Sequence, residues 1–275
     1  MNGMSGCGQV YPSPHPAVII EMIETQSLTY TYAQHTPIFQ DFNWKVEKGE
    51  AWAVLGPSGC GKTTLLYLLA GLRFPTSGAV LVDGQRLQRP RPQTGLILQE
   101  YGLLPWATVR QNVELGMRIR DFYGPDGKHA PSHAQEPVEI DVWLQRLGLA
   151  DHQDKYPSQI SGGQRQRTAI ARTLALHPDL LLMDEPFSSL DAPTREGLQN
   201  LTLELRAEAG LTLVIVTHAI EEAAVMGQKI LLLGMPPNTE PVVIDNPHAG
   251  KPGYRNEPEY QALCRQLRER MAAAV

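Results

Sequence analysis

Cysteine is scarce and scattered in this chain: Cys7, Cys60 and Cys264 stand far apart, with no CxxC pair. That argues against a disulfide framework or a cysteine-based zinc site and favours a reducing compartment. Long apolar runs are missing too. No stretch approaches the ~20 residues of a transmembrane helix, so any membrane role must run through a partner. Met1 to Pro16 lacks the basic start and apolar core of a secretory signal, and its Gly, Ser and Pro read as a loose tail. Basic residues are not in surplus. The formal net charge is -5, which gives no electrostatic footprint for DNA or RNA, and no nucleic-acid partner is expected. No heptad run and no internal repeat is present. Charged residues, at 19%, are too few for a disordered chain, while 42% hydrophobic residues support a sizeable core.

What is present is organised around Gly56-Pro57-Ser58-Gly59-Cys60-Gly61-Lys62-Thr63. The apolar run Ala51 to Leu55 before it predicts a buried strand, and Thr64 to Ala70 after it a buried helix ended by Gly71. Strand, glycine loop and helix in that order match GxxxxGK[ST] in its required context. Glycines let successive backbone N–H groups turn inward on an anion, where a Cβ would block its approach. The helix start adds unpaired amides and the positive end of its dipole. Lys62 is placed to reach the β- and γ-phosphates and the Thr63 hydroxyl to ligate Mg²⁺. The bland alternative, a glycine turn with a solvated lysine, does not account for the flanking strand and helix. Cys60 within the loop has two readings: a redox-sensitive thiol at a helix end, or simply a small tolerated residue.

Around this loop the pattern changes along the chain. From Ala17 to Val46 it is short and β-like (17–23, 27–32, 39–46), which predicts an antiparallel β layer. Further strands are expected at 79–82 and 94–99. From Glu100 to about Gln164 strand signals fade; helices are expected over 108–120 and 141–149, with a Gly/Pro/His/Ser loop over 122–137 between them. Alternation then returns: helix 164–176, strand 180–183, helix 194–209, strand 211–216, helix 221–227, strand 229–233. That is an α/β fold, a mostly parallel sheet covered on both faces, with the antiparallel layer and a helical subdomain added. The organisation expected is a tail over 1–16, one nucleotide-binding domain over 17–235 with its helical insert at about 100–164, and an extension over 236–275 that is Pro-rich before a terminal helix.

Two further stretches carry chemistry. Leu180 to Met183 ends in Asp184-Glu185, and in open α/β sheets ligands sit beyond the carboxyl ends of the strands. Asp184 would hold Mg²⁺, directly or through water, and Glu185 would polarise an attacking water. The alternative is that the pair merely begins a turn or helix, where acids are favoured. Ser161-Gly162-Gly163-Gln164 opens a helix with small residues and exposed amides, a second phosphate cradle. One nucleotide does not need two cradles from one chain.

At this point the chain resembles the ATP-binding subunits of ABC transporters, over about Val18 to Leu233. Ile160-Ser161-Gly162-Gly163-Gln164 resembles the signature sequence LSGGQ, with Ile160 in place of leucine. The resemblance implies a head-to-tail dimer in which this loop caps the ATP held by the partner copy, which gives the second cradle its use. It implies nucleotide contacts from Gly56, Pro57, Ser58, Gly59, Cys60, Gly61, Lys62, Thr63 and Thr64. Gln99 resembles the glutamine that contacts Mg²⁺ and water and joins the helical subdomain to the core. Ser189-Leu190-Asp191 resembles the loop that crosses the dimer interface, with Ser189 where alanine is common. His218 resembles the switch histidine at the γ-phosphate. Tyr32 is the expected adenine-stacking aromatic, with Tyr30 as its alternative.

The run Gln99-Glu100-Tyr101-Gly102-Leu103-Leu104-Pro105-Trp106 resembles the nitrate/sulfonate/taurine importer subfamily, and its apolar residues either dock a permease or pack the helical subdomain. The implied protein is a peripheral ATPase on the cytoplasmic face of a membrane. It would work with two permease subunits and, indirectly, a solute-binding protein, using ATP and Mg²⁺. The competing class is a soluble ABC ATPase of translation or DNA repair. Such proteins usually carry two cassettes or long coiled coils, and this chain shows one phosphate loop and no heptads.

Overall fold

A computed structural model of the chain describes residues 21–32, 36–123 and 140–273. The expected tail, the start of the first β-like run and most of the 122–137 loop lie outside these residues.

Two sheets form the frame. Strands β1 (Glu21–Tyr30), β2 (Phe39–Glu47), β4 (Ser77–Val82) and β5 (Gln85–Arg86) make a four-stranded antiparallel sheet in the order β2-β1-β4-β5. The two β-like runs separated by Glu24-Thr25-Gln26 are one strand. Its register shifts between Thr25 and Leu28, and Ser27 takes a positive φ, so a bulge absorbs the break in the alternation.

The second sheet has six strands in the order β10-β9-β3-β8-β7-β6. Strands β3 (Ala51–Leu55), β6 (Thr94–Ile97), β7 (Leu180–Asp184), β8 (Thr212–Thr217) and β9 (Lys229–Leu232) run parallel. Strand β10 (Val242–Asp245) pairs antiparallel with β9 at the edge. This strand is not read from the sequence. Val242-Val243-Ile244 sits amid prolines, and both Val242 and Val243 stay exposed, so neither length nor burial marks it.

Strand alternation divides the core in two. Trp52, Val54, Leu180, Leu182, Val214, Val216 and Leu231 face the antiparallel sheet and helix α1 (Lys62–Leu69). Ala51, Ala53, Leu55, Leu181, Met183, Leu213, Ile215, Ile230 and Leu232 face the other way, against helices. Those helices are α2 (Val109–Tyr123), α3 (Ile140–Arg146), α4 (Gly162–Leu174), α5 (Ala192–Ala209), α6 (Ile220–Met226) and α7 (Pro258–Ala273). In the helical insert Val109 and Val113 are fully buried, and Asn112 fixes the turn before α2. Its Nδ2 donates to the carbonyls of Leu104, Ala107 and Thr108, and its Oδ1 accepts from the Leu104 amide.

Residues beyond 235 are built into this frame. Tyr254, Tyr260, Leu263, Cys264 and Leu267 are buried in the helical-side core, and Arg268 on α7 pairs with Glu221 on α6 at 2.6 Å.

Candidate nucleotide site

The parallel strands β3, β6, β7 and β8 all end toward one rim, and the loops leaving them build the site. The first is the glycine loop between β3 and α1. Gly59 and Gly61 hold φ of 79° and 108°, which only glycine adopts without strain. A Cβ on Gly61 would stand 2.4 Å from Ile38 Cγ2, so this residue is fixed by space as well as by conformation. The amides of Gly59, Gly61 and Thr63 find no backbone acceptor among the described residues, while that of Lys62 points at the Cys60 sulfur, and together they offer the donor array a phosphate chain requires. The Lys62 ammonium donates to the Gly56 and Pro57 carbonyls of the same loop, at 2.8 and 2.9 Å.

Cys60 is fully buried, and burial pushes its thiol above the ordinary range, with the nearby Lys62 charge opposing. The helix end does not make it a thiolate. Of its two readings the structure favours the small packed residue.

Thr63 Oγ1 donates to Asp184 Oδ1 at 3.3 Å. Asp184 is buried at the end of β7, and burial raises its pKa. The Thr63 hydrogen bond lowers it, and Glu185 raises it further. A buried carboxylate beside a hydroxyl, with free amides opposite, is a hard-oxygen set suited to Mg²⁺ completed by phosphate oxygens and water.

Glu185 is the centre of the rim. Its backbone takes a positive φ of 43°, held by its amide donating to the Val216 carbonyl at 2.9 Å. Such strain is found where surrounding structure fixes a side chain's direction. Its Oε1 lies 3.0 Å from His218 Nδ1, and Gln99 Nε2 donates to Oε2 at 3.5 Å. Residues from the ends of β6, β7 and β8 thus meet on one carboxylate. A cleft of about 570 Å³ is lined by the glycine loop, Thr64, Tyr32, Ile38, Glu185 and His218.

The two tyrosines are separated by their surroundings. Tyr32 lines the cleft, with its hydroxyl 3.0 Å from Thr64 Oγ1 and the Arg73 guanidinium 5.0 Å from its ring centroid. Tyr30 is buried edge-on against it and accepts a hydrogen bond from Arg73 at 3.0 Å.

Two predicted residue groups are not brought to the cleft. Ser161 is the N-cap of α4. Its Oγ accepts from the Gln164 amide at 3.3 Å, while Gln164 Oε1 accepts from the Ser161 amide at 2.8 Å. That leaves the Gly162 and Gly163 amides without acceptors among the described residues. Asp191 caps α5 by accepting from the Thr194 amide at 3.1 Å, which holds its carboxyl below the usual range. Neither group lines the cleft.

Sequence reasoning missed two supports. Glu222 on α6 is buried and accepts from Thr217 Oγ1 at 2.7 Å, while that hydroxyl accepts from the Ala219 amide at 3.0 Å. It therefore braces both sides of His218. Arg172 on α4 donates to the Tyr101 and Gly102 carbonyls, at 2.7 and 2.6 Å, just after Gln99. Neither has a local signal, since each acts on a segment distant in sequence.

A family model described as ABC transporter matches residues 39–188. The chain belongs to the ABC transporter family. It is an ATP-binding cassette and an ATPase. It is 40% identical over 203 residues to the taurine import ATP-binding protein TauB of Roseobacter denitrificans, covering 74% of this chain and 72% of that one. With the aliphatic sulfonates import ATP-binding protein SsuB of Bacillus cereus it shares 35% identity over 230 residues, 84% of this chain and 86% of the relative. The dimeric structure of MJ0796, a bacterial ABC transporter cassette, superposes with a TM-score of 0.67 at 30% identity, over 82% of this chain and 98% of that one. The P-loop core with its antiparallel layer and helical subdomain is therefore the ABC cassette fold.

Proposed function

We propose that this cassette powers the import of a small organic sulfonate, as the peripheral subunit on the cytoplasmic face of a membrane. Two copies would face each other head to tail, coupled to two transmembrane permease subunits that a solute-binding protein supplies. The carrying observation is the division of labour between the two cradles. One brings Lys62, Thr63, Glu185 and His218 to a single cleft, with Gln99 bonded to the same carboxylate and Asp184 to Thr63. The other offers free amides away from any of these. Two such half-sites are completed by a second copy. The names of the relatives, taurine and aliphatic sulfonate import proteins, support the substrate class. Among the described residues no helix is long and apolar enough to cross a membrane, as fits a subunit that acts through permeases. Trp106, 73% exposed after Leu103-Leu104-Pro105, is the apolar contact such a permease would take.

In this reading the loop amides and Lys62 bind the β- and γ-phosphates, and Tyr32 stacks on the adenine. Thr63 and Asp184, with Gln99, would hold Mg²⁺, which would supply charge neutralisation for the phosphates. Glu185 takes or orients the proton of the attacking water, and His218 holds that carboxylate in position until the γ-phosphate draws it away. Ser161 and the Gly162 and Gly163 amides cap the partner's γ-phosphate, and Asp191 stands at the interface between copies.

Glu185→Gln tests the reading directly. It should retain ATP binding, lower turnover by ~10²–10⁴, and accumulate an ATP-dependent dimer detectable by size exclusion with light scattering. Turnover equal to the parent's would remove the assigned role of Glu185. A monomer that persists with Mg-ATP and permease present would remove the head-to-tail pairing.

A further inference from the structure

The segment after β9 returns to the glycine loop. Leu233 donates its amide to the Leu55 carbonyl at 2.9 Å, and a Cβ on Gly56 would lie 2.7 Å from the Leu233 carbonyl oxygen. Five residues on stands Asn238, 7% exposed, with every polar group engaged. Its Nδ2 donates to the Cys60 carbonyl at 2.9 Å and to the Ile38 carbonyl at 3.2 Å. Its Oδ1 accepts from the Gly234 amide at 3.0 Å. Its own amide donates to Ile38 at 2.9 Å, and its carbonyl accepts from Gln40 at 3.0 Å.

Ile38 and the glycine loop both line the nucleotide cleft, and Ile38 is the side chain against which Gly61 is packed. One side-chain amide therefore bonds both lining segments, from a stretch outside the span matched by the family model. Each side-chain N–H has its own carbonyl; that of Cys60 has no other side-chain donor among the described residues, and that of Ile38 also accepts from the Asn238 backbone amide. An acidic side chain of similar volume removes both side-chain donors: the Ile38 carbonyl keeps the Asn238 backbone amide, while the Cys60 carbonyl loses its side-chain partner in a buried place, where that loss is largest.

We propose that Asn238 is a positioning residue for nucleotide binding: it fixes the seat of the glycine loop against the Ile38 segment by bonding the Cys60 and Ile38 carbonyls with one side-chain amide. This rests on the reading of the glycine loop as the phosphate site. The residue touches no reacting group, so its effect falls on affinity and leaves the chemical step alone.

The same extension supplies a matched control. Asn246 is 3% exposed. Its Nδ2 donates to the Ala224 and Gly227 carbonyls at 2.7 and 2.8 Å, and its Oδ1 accepts from the Tyr254 hydroxyl at 2.9 Å. It makes the same number of buried bonds and is not among the residues lining the cleft.

The experiment measures the Kd of a fluorescent ATP analogue and the melting temperature for Asn238→Asp, Asn238→Ser and Asn246→Asp, with Lys62→Ala alongside. Asn238→Asp keeps the acceptor for Gly234 but loses both donors, and Kd should rise about tenfold. Asn238→Ser keeps one hydroxyl donor and should fall between parent and Asp, a series that survives if one variant fails to fold. Asn246→Asp should lower the melting temperature comparably and leave Kd at the parent value. Asn238 variants whose Kd matches the parent's, or rises only as Asn246→Asp does, overturn the proposal while Lys62→Ala still weakens binding. If Lys62→Ala leaves Kd unchanged, the reading of the cleft falls and this inference with it.

Discussion

The cradles at Gly56–Thr63 and Ser161–Gln164 are both helix N-termini with small residues and free amides, yet they are different objects. The first is enclosed. Lys62 and Thr64 are buried beneath it, Glu185 and His218 close one side with buried Asp184 behind Thr63, and Tyr32 forms a wall. The second is open. Ser161 is exposed and caps its own helix, and no catalytic side chain accompanies it. A helix end supplies attraction for a phosphate, about half a charge of it. Chemistry needs acids, bases and a metal-type oxygen set held beside that end, and only one cradle has them. The other is suited to complete a site held by a second molecule.

The comparison breaks first at Gly162. A Cβ there meets nothing closer than 3.4 Å, and an acid in the first turn of α4 favours the helix, so Gly162→Asp should fold. A carboxylate in the second cradle repels phosphate, and turnover should fall by about 10², while ATP affinity of the isolated chain stays at the parent value. A matching loss of monomer affinity in a nucleotide-binding titration would mean that the two cradles are not separate.

A smaller effect sharpens the enclosed side through pH. Burial pushes Glu222 up to about 7, with the Thr217 hydrogen bond opposing. Its folded pKa lies above its unfolded value of ~4.3, so the fold prefers the protonated acid. Stability from this group is present at low pH and is lost as pH rises from ~4.3 through the folded value. The loss is on the order of 3–4 kcal/mol by pH 8. Glu222→Gln keeps an acceptor for Thr217 and does not ionise, so its melting temperature should fall less between pH 6 and pH 8 than the parent's. Equal slopes for both proteins would show that Glu222 does not titrate in this range.

The smallest expected effect concerns Tyr32, the proposed base platform, which lines only the enclosed cradle. Tyr32→Ala should weaken ATP binding about tenfold, and Tyr32→Phe, which loses only the contact with Thr64, less than that. Calorimetric titration separates the two. Loss in Phe equal to that in Ala would assign the effect to the hydroxyl and remove the ring from base stacking.

Most element positions were legible because the parallel strands are continuous apolar runs and the helices are periodic. The misses share a cause. Strand β10 has no burial pattern of its own and exists because β9 offers it an unpaired edge. The bulge in β1 looks like a strand break when read along the chain, and only pairing with β2 and β4 bridges it. Glu222, Arg172 and Asn238 read as an ordinary helix acid, a helix base and a turn residue. Their importance lies in carbonyls and hydroxyls that other segments bring to them.

The sequence alone determined what is local: a glycine loop whose amides turn inward, a carboxylate pair at a strand's end, and a small-residue helix start. Each is fixed by residue type and spacing over a few positions, so it can be read without a fold. Only the tertiary structure decided which of them meet. It set Gln99, Glu185 and His218 on one rim, left Ser161 outside, made Tyr32 rather than Tyr30 a wall, and brought Asn238 back to the glycine loop. Those are contacts between residues far apart in the chain, and their distances follow from strand order and packing, which no short stretch encodes.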